Sequence, residues 1–131
     1  MAFNDKIEKI RMSKKRVLDR MKKNDLSSAE KKVIRQLRNE LKKMAGKRIR
    51  LILFGSRARG DYDSGSDMDI AVIVPGLTRK LKDEILEKVA ALEIEYLMPL
   101  STLVLSEEDF ETLKRKERRL ALDIEREGIP I

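Results

Sequence analysis

Leu51-Ile52-Leu53-Phe54-Gly55-Ser56-Arg57-Ala58-Arg59-Gly60, with Ser66-Asp67-Met68-Asp69-Ile70-Ala71-Val72-Ile73-Val74 after it, is the stretch that decides the fold. The run from Arg48 to Phe54 is short, rich in branched apolar residues and ended by Gly55, which reads as a strand. Met68 to Val74 reads as a second strand, stopped by Pro75-Gly76. Residues 55–66 between them read as a loop dense in Gly, Ser, Asp and Arg. Gly55 lets the backbone approach an anion closely, and Ser56 adds a hydroxyl donor. Arg57 and Arg59 carry guanidinium forks that match phosphate oxygens. Ten residues separate Ser56 from Asp67. Strand alternation places Asp67 and Asp69 on one face, with Met68 and Ile70 on the other. Two adjacent carboxylates repel each other, and a divalent cation between them relieves that repulsion. Each part is common alone; their combination in this order is not.

Working outward, the same patterning supplies the other elements. Phe3, Ile7, Ile10, Val17 and Met21 recur at helical spacing, with Lys14 interrupting the stripe. Ser27-Ser28-Ala29-Glu30 has the spacing of a capping box. Val33, Ile34, Leu37, Leu41 and Met44 then form a stronger stripe that Gly46 ends. The two stripes predict a pair of antiparallel helices over residues 1–46, followed by an α/β unit over 47–131. Thr78 caps a helix expected from Arg79 to Tyr96, with Leu81, Ile85, Leu86, Val89 and Leu92 on one face. Pro99 breaks the chain, and Ser101 to Leu105 predicts a third strand. Ser106-Glu107-Glu108-Asp109 opens a last helix expected to reach about Glu125, with Phe110, Leu113, Leu120 and Ile124 at roughly helical spacing and Gly128 and Pro130 ending it.

Composition narrows the chemistry. The chain has 131 residues, neither Cys nor His, and a formal charge of +7. Thiol catalysis, disulfides, zinc–thiolate sites and imidazole bases are therefore excluded, and any metal is a hard cation held by oxygen. Residues 1–50 hold 18 Lys/Arg against 6 Asp/Glu, a net +12, while the rest of the chain is net −5. Such asymmetry fits a basic surface for nucleic acid or an acidic partner, or else a solvated pair of Lys-rich helices. No apolar run approaches membrane-spanning length and no signal-peptide core opens the chain, so the expected location is cytoplasmic, without a membrane.

Gly55-Ser56, ten residues, then Asp67-x-Asp69 resembles the signature of the DNA polymerase beta-like nucleotidyltransferase superfamily. Within it, Phe54-Gly55-Ser56-Arg57-Ala58-Arg59-Gly60 followed by Ser66-Asp67-Met68-Asp69-Ile70 resembles the minimal nucleotidyltransferases, the MNT or MntA-like antitoxins. The likeness is contiguous over about 21 residues, and the later element order with its closing Arg126-Glu127-Gly128-Ile129 is similar too. Residues 1–25 look like an addition to that unit. The resemblance implies an α/β (α+β) fold with a small mixed sheet and helices on one side, here preceded by the helical hairpin. It implies a magnesium–nucleoside triphosphate, ATP, as substrate. Gly55, Ser56, Arg57, Arg59 and Ser66 would serve nucleotide binding, and Asp67 and Asp69 would be the catalytic metal ligands of a two-metal Mg2+ site. An acceptor hydroxyl attacks the α-phosphorus and pyrophosphate leaves, a reaction run by positioning and charge neutralisation. The implied acceptor is a protein, since minimal members pair as antitoxins with HEPN-type RNase toxins and some transfer AMP to the toxin's tyrosine.

One departure qualifies that expectation. Active members carry a third acidic residue on a later strand, and here Ser101 or Thr102 stands in its place. A serine hydroxyl is a weak magnesium ligand, so the second metal is poorly held, and Glu93 and Glu95 are the nearby substitutes. Three functions follow. They are a protein adenylyltransferase, a catalytically weak nucleotide-binding antitoxin module, and a nucleic-acid-binding protein using the basic N-terminal helices. The N-terminal stripe also allows a homo-oligomer.

Overall fold

The computed structural model describes residues 26–60 and 67–131. Helix α1 spans Ser28–Ala45. The Ser27 hydroxyl accepts the Glu30 N–H at 3.1 Å, and Glu30 Oε1 accepts the Ser27 N–H at 3.0 Å, so the expected capping box is formed. Val33, Ile34, Leu37 and Leu41 face inward, and Gly46 closes the helix. Strand β1 (Arg50–Phe54) leads directly into α2 (Gly55–Arg59), and β2 spans Met68–Val74. Helix α3 (Arg79–Tyr96), capped by the Thr78 hydroxyl, crosses to β3 (Leu100–Ser106). Helices α4 (Glu107–Arg115) and α5 (Arg119–Glu127) follow, then β4 (Ile129–Pro130).

The strands form one mixed sheet in the order β3-β2-β1-β4. β1 pairs antiparallel with both β2 and β4, whereas β2 and β3 are parallel and need the α3 crossover between them. The α/β class and the mixed sheet are therefore as expected. The helices, however, cover both faces rather than one. Met68, Ile70, Val72 and Val74 of β2 pack with Val33, Leu37 and Leu41 of α1 and Ile85, Val89 and Leu92 of α3. Ala71 and Ile73 pack with Phe110 of α4 and with Ala121 and Ile124 of α5. The unbroken apolar run from Ile70 to Val74 explains this, because a strand with no polar face needs cover on both sides.

Three more expectations change. The loop begins with a helical turn, α2, instead of at Gly55. The last helix is two helices, parted where Glu117 takes a left-handed φ of 51°. The break lets α5 fold back so that Ala121 and Ile124 join Phe110, which leaves Leu120, of the same expected stripe, exposed. The chain end expected to stop that helix adds a short fourth strand. There Gly128 lies so close to its neighbours that a Cβ would fall 2.3 Å from both the Ile124 carbonyl oxygen and Ile52 Cγ2. Leu86, expected inward on α3, is partly exposed. The helix expected over Phe3 to Met21 lies outside the described residues. Among those described, no helix is long and apolar enough to cross a membrane.

Candidate active site

The site is built where β1 ends and β2 begins. Phe54 is the register partner of Asp69, so the residue that follows β1 arrives beside that carboxylate. Gly55 has a φ of +73°, which an L side chain rarely adopts. A Cβ on Gly55 would lie 2.3 Å from Asp69 Oδ2. The absent side chain is thus the space the carboxylate occupies, and any other residue would strain the backbone and displace that carboxylate. On its other flank Asp69 is in register with Ser101 of β3, which is exposed. Asp69 itself is half-buried, while Asp67, one residue ahead of β2, is exposed. The structure therefore brings Gly55, Ser56, Asp67, Asp69 and Ser101 to one end of the sheet.

Helix α2 is a single short turn held by its side chains. Phe54 at the cap position makes no side-chain cap bond, and the Gly60 N–H closes the turn on the Ser56 carbonyl at 2.9 Å. Ala58 is buried in the core that α1 and α3 share. Arg57 differs from its expected place at a phosphate. Its side chain is 8% exposed and its Nη1 lies 2.8 Å from Glu30 Oε2 of α1. Arg59 reaches Glu127 of α5 at 3.5 Å, and both side chains there are about two-fifths exposed. Glu30 has no signal in the sequence beyond its capping role, because its partner is 27 positions away on another element. Ser66 lies outside the described residues.

The donor set suits a hard cation. Asp67 and Asp69 supply two carboxylates and Ser101 a neutral hydroxyl, all oxygen, which fits magnesium sharing its remaining positions with phosphate and water. Among the described residues no three acidic groups converge on one point. Glu93 and Glu95 therefore form no such group with the aspartates, and the β3 position in register with Asp69 is Ser101. These residues fit one cation better than two.

Residues 34–126 match the family model described as the nucleotidyltransferase domain. The chain belongs to that family. The matched segment contains the whole Gly55-to-Val74 region, so family membership and the Gly55–Asp69 contact concern the same residues. Two proteins of Methanocaldococcus jannaschii, each named "Putative protein adenylyltransferase", are similar in sequence. One is 39% identical over 56 residues, covering 42% of this chain and 57% of its own length. The other is 49% identical over 45 residues, covering 34% of this chain and 45% of its own. This nucleotidyltransferase domain thus aligns with about half the length of each. A crystal structure of a "putative nucleotidyltransferase" from Sulfolobus solfataricus superposes with a TM-score of 0.47 at 20% identity, over 81% of this chain and 87% of that one.

Proposed function

We propose that this chain binds magnesium–ATP across the Gly55–Ser56 turn and the Asp67/Asp69 pair and transfers AMP to a hydroxyl of a partner protein. The observation that carries this is the contact between Gly55 and Asp69, which puts a phosphate-approach turn and a carboxylate pair within one small volume. The names of the two archaeal relatives support AMP as the group moved and a protein as the acceptor. The triphosphate rests on Gly55 and Ser56, with Arg59 on its flank, and Arg57 holds the turn from behind. Asp67 and Asp69 would hold a magnesium ion, which would supply neutralisation of the charge developing on the leaving pyrophosphate. The acceptor oxygen bonds to the α-phosphorus, the α–β anhydride bond breaks, pyrophosphate departs and the hydroxyl proton passes to water. Asp67, the more exposed of the pair, borders the side from which an acceptor enters. An acceptor of the HEPN toxin class, and hence an antitoxin role in the cytoplasm, follows from the resemblance of the Gly55-to-Ile70 motif to the minimal nucleotidyltransferases.

Ser101 favours a second function. With a neutral side chain in register with Asp69, the chain can hold magnesium–ATP without turning it over and act as a nucleotide-binding module on its partner. One experiment separates the two. Incubation with α-labelled ATP, GTP, CTP or UTP, magnesium or manganese, and the product of the adjacent gene should label that protein from ATP alone. The label should vanish in Asp67→Asn/Asp69→Asn. No label, with Asp-dependent ATP binding, selects the binding module. No label and no binding overturns both.

A further inference from the structure

The Arg57–Glu30 pair is placed where ion pairs are costly. The two side chains are 8% and 12% exposed, so both charges have lost most of their water. A buried pair seldom stabilises a fold more than apolar residues of the same volume would, so stability alone does not explain it. Its geometry does. Glu30 Oε1 accepts the Ser27 N–H at 3.0 Å while Oε2 meets Arg57 Nη1 at 2.8 Å. One carboxylate therefore joins the first turn of α1 to the residue next to Ser56.

The turn it grips has little hold of its own. Five residues are too few for a helix to be stable by itself, and glycines stand at both ends, Gly55 and Gly60. Among the described residues three side chains help to set its pose: Ala58 in the core, Arg59 towards Glu127 and Arg57 on Glu30. The Arg59 contact is longer and open to solvent, where salt screens it. The Arg57 contact is dry and directional. We infer that Glu30 is a positioning residue for the nucleotide site, fixing Gly55–Ser56 against Asp69 through Arg57. This rests on the ATP binding proposed above. Because coupling is reciprocal, ATP on the turn must also steady the start of α1.

The test uses the full chain, titrated with magnesium–ATP and followed by amide hydrogen exchange. In the wild type, ATP should slow exchange across Gly55–Arg59 and also across Ser28–Lys31. Two variants then separate positioning from helix stability. Ser27→Ala removes a cap but keeps the ion pair; it should lower the melting temperature and leave the ATP Kd within about twofold. Glu30→Gln keeps a capping acceptor but drops the charge facing Arg57; it should weaken ATP tenfold or more. If Glu30→Gln does not fold, Glu30→Asp, with its carboxylate one methylene short, should still weaken ATP several-fold. Equal losses in Ser27→Ala and Glu30→Gln, unchanged affinity in the Glu30 variants, or ATP protection confined to Gly55–Arg59 would each overturn the inference alone. A wild type that binds no ATP overturns the proposed function along with it.

Discussion

The two faces of the sheet differ in what they bury. On the side of α1 and α3, eighteen apolar residues among those described are buried in one cluster; on the side of α4 and α5 there are six. β2 shows the reason along its own length. Its first face reads Met68, Ile70, Val72, Val74 and is apolar from end to end. Its second face reads Asp69, Ala71, Ile73 and becomes apolar only at the fourth residue of the strand. A carboxylate without a partner cannot be covered by a helix, because burial would strip its hydration. The cover given by Phe110, Ala121 and Ile124 accordingly serves the middle and far end of β2. The thick face holds the fold, and the uncovered corner of the thin face is left for chemistry.

The largest effect expected from breaking this division is in the thin core. Phe110 is its largest side chain and fully buried, so Phe110→Ala should cost about 3–5 kcal/mol in chemical denaturation. Amides of α4 and α5 should then exchange well before those of α1 and α3, since the smaller core opens at lower free energy. Simultaneous exchange of all four helices would show the two faces to be one cooperative unit. Next comes the corner itself. Asp69→Asn should reduce ATP binding or AMP transfer by about a hundredfold or more while leaving the denaturation midpoint nearly unchanged. A large fall in stability would instead make Asp69 part of the core.

A smaller effect tests the seam between the faces. Gly128 ends α5 and delivers the chain to β4 through a gap that a Cβ would close, against the Ile124 carbonyl and Ile52. Gly128→Ala should cost about 1–3 kcal/mol by overpacking, seen as a lower melting temperature with the ATP Kd little changed. Loss of ATP binding at the same time would mean that β4 helps hold the site, through β1.

What was legible in the sequence follows the strength of local punctuation. β2 and α3 were readable to the residue because Pro75-Gly76, Thr78 and Pro99 mark their limits. β4 was not, since Ile129-Pro130 is too short for any periodicity and becomes a strand only by pairing with Ile52 and Leu53. The break between α4 and α5 carries no Gly or Pro. Its one signal is Lys114 to Arg119, six charged residues in a row with no apolar side chain among them. The cover on both faces was not read, since helices were expected on one side, although the apolar run of β2 fits the two-sided cover found. In the candidate site, the spacing of Gly55, Ser56, Asp67 and Asp69 was legible. The Gly55–Asp69 contact depends on strand register, and the Arg57–Glu30 pair on helix packing, and neither is a local property of the chain.

The smallest effect is the sharpest test of how much chemistry the corner supports. Ser101 is exposed, in register with Asp69 on the parallel side, and on the same face. Ser101→Asp would put a second carboxylate directly beside the first. Without metal the like charges should destabilise the fold by about 0.2–1 kcal/mol, the range for unfavourable neighbours across two strands. With magnesium or manganese the sign should reverse. A third carboxylate raises the charge and number of oxygen ligands, the quantities that tune affinity for hard divalent ions. The melting temperature of Ser101→Asp should therefore lie below the wild type in chelator and above it in millimolar manganese. If metal leaves the variant below the wild type throughout, the Asp67/Asp69 corner is no cation site, and the second, binding-only function loses its magnesium as well.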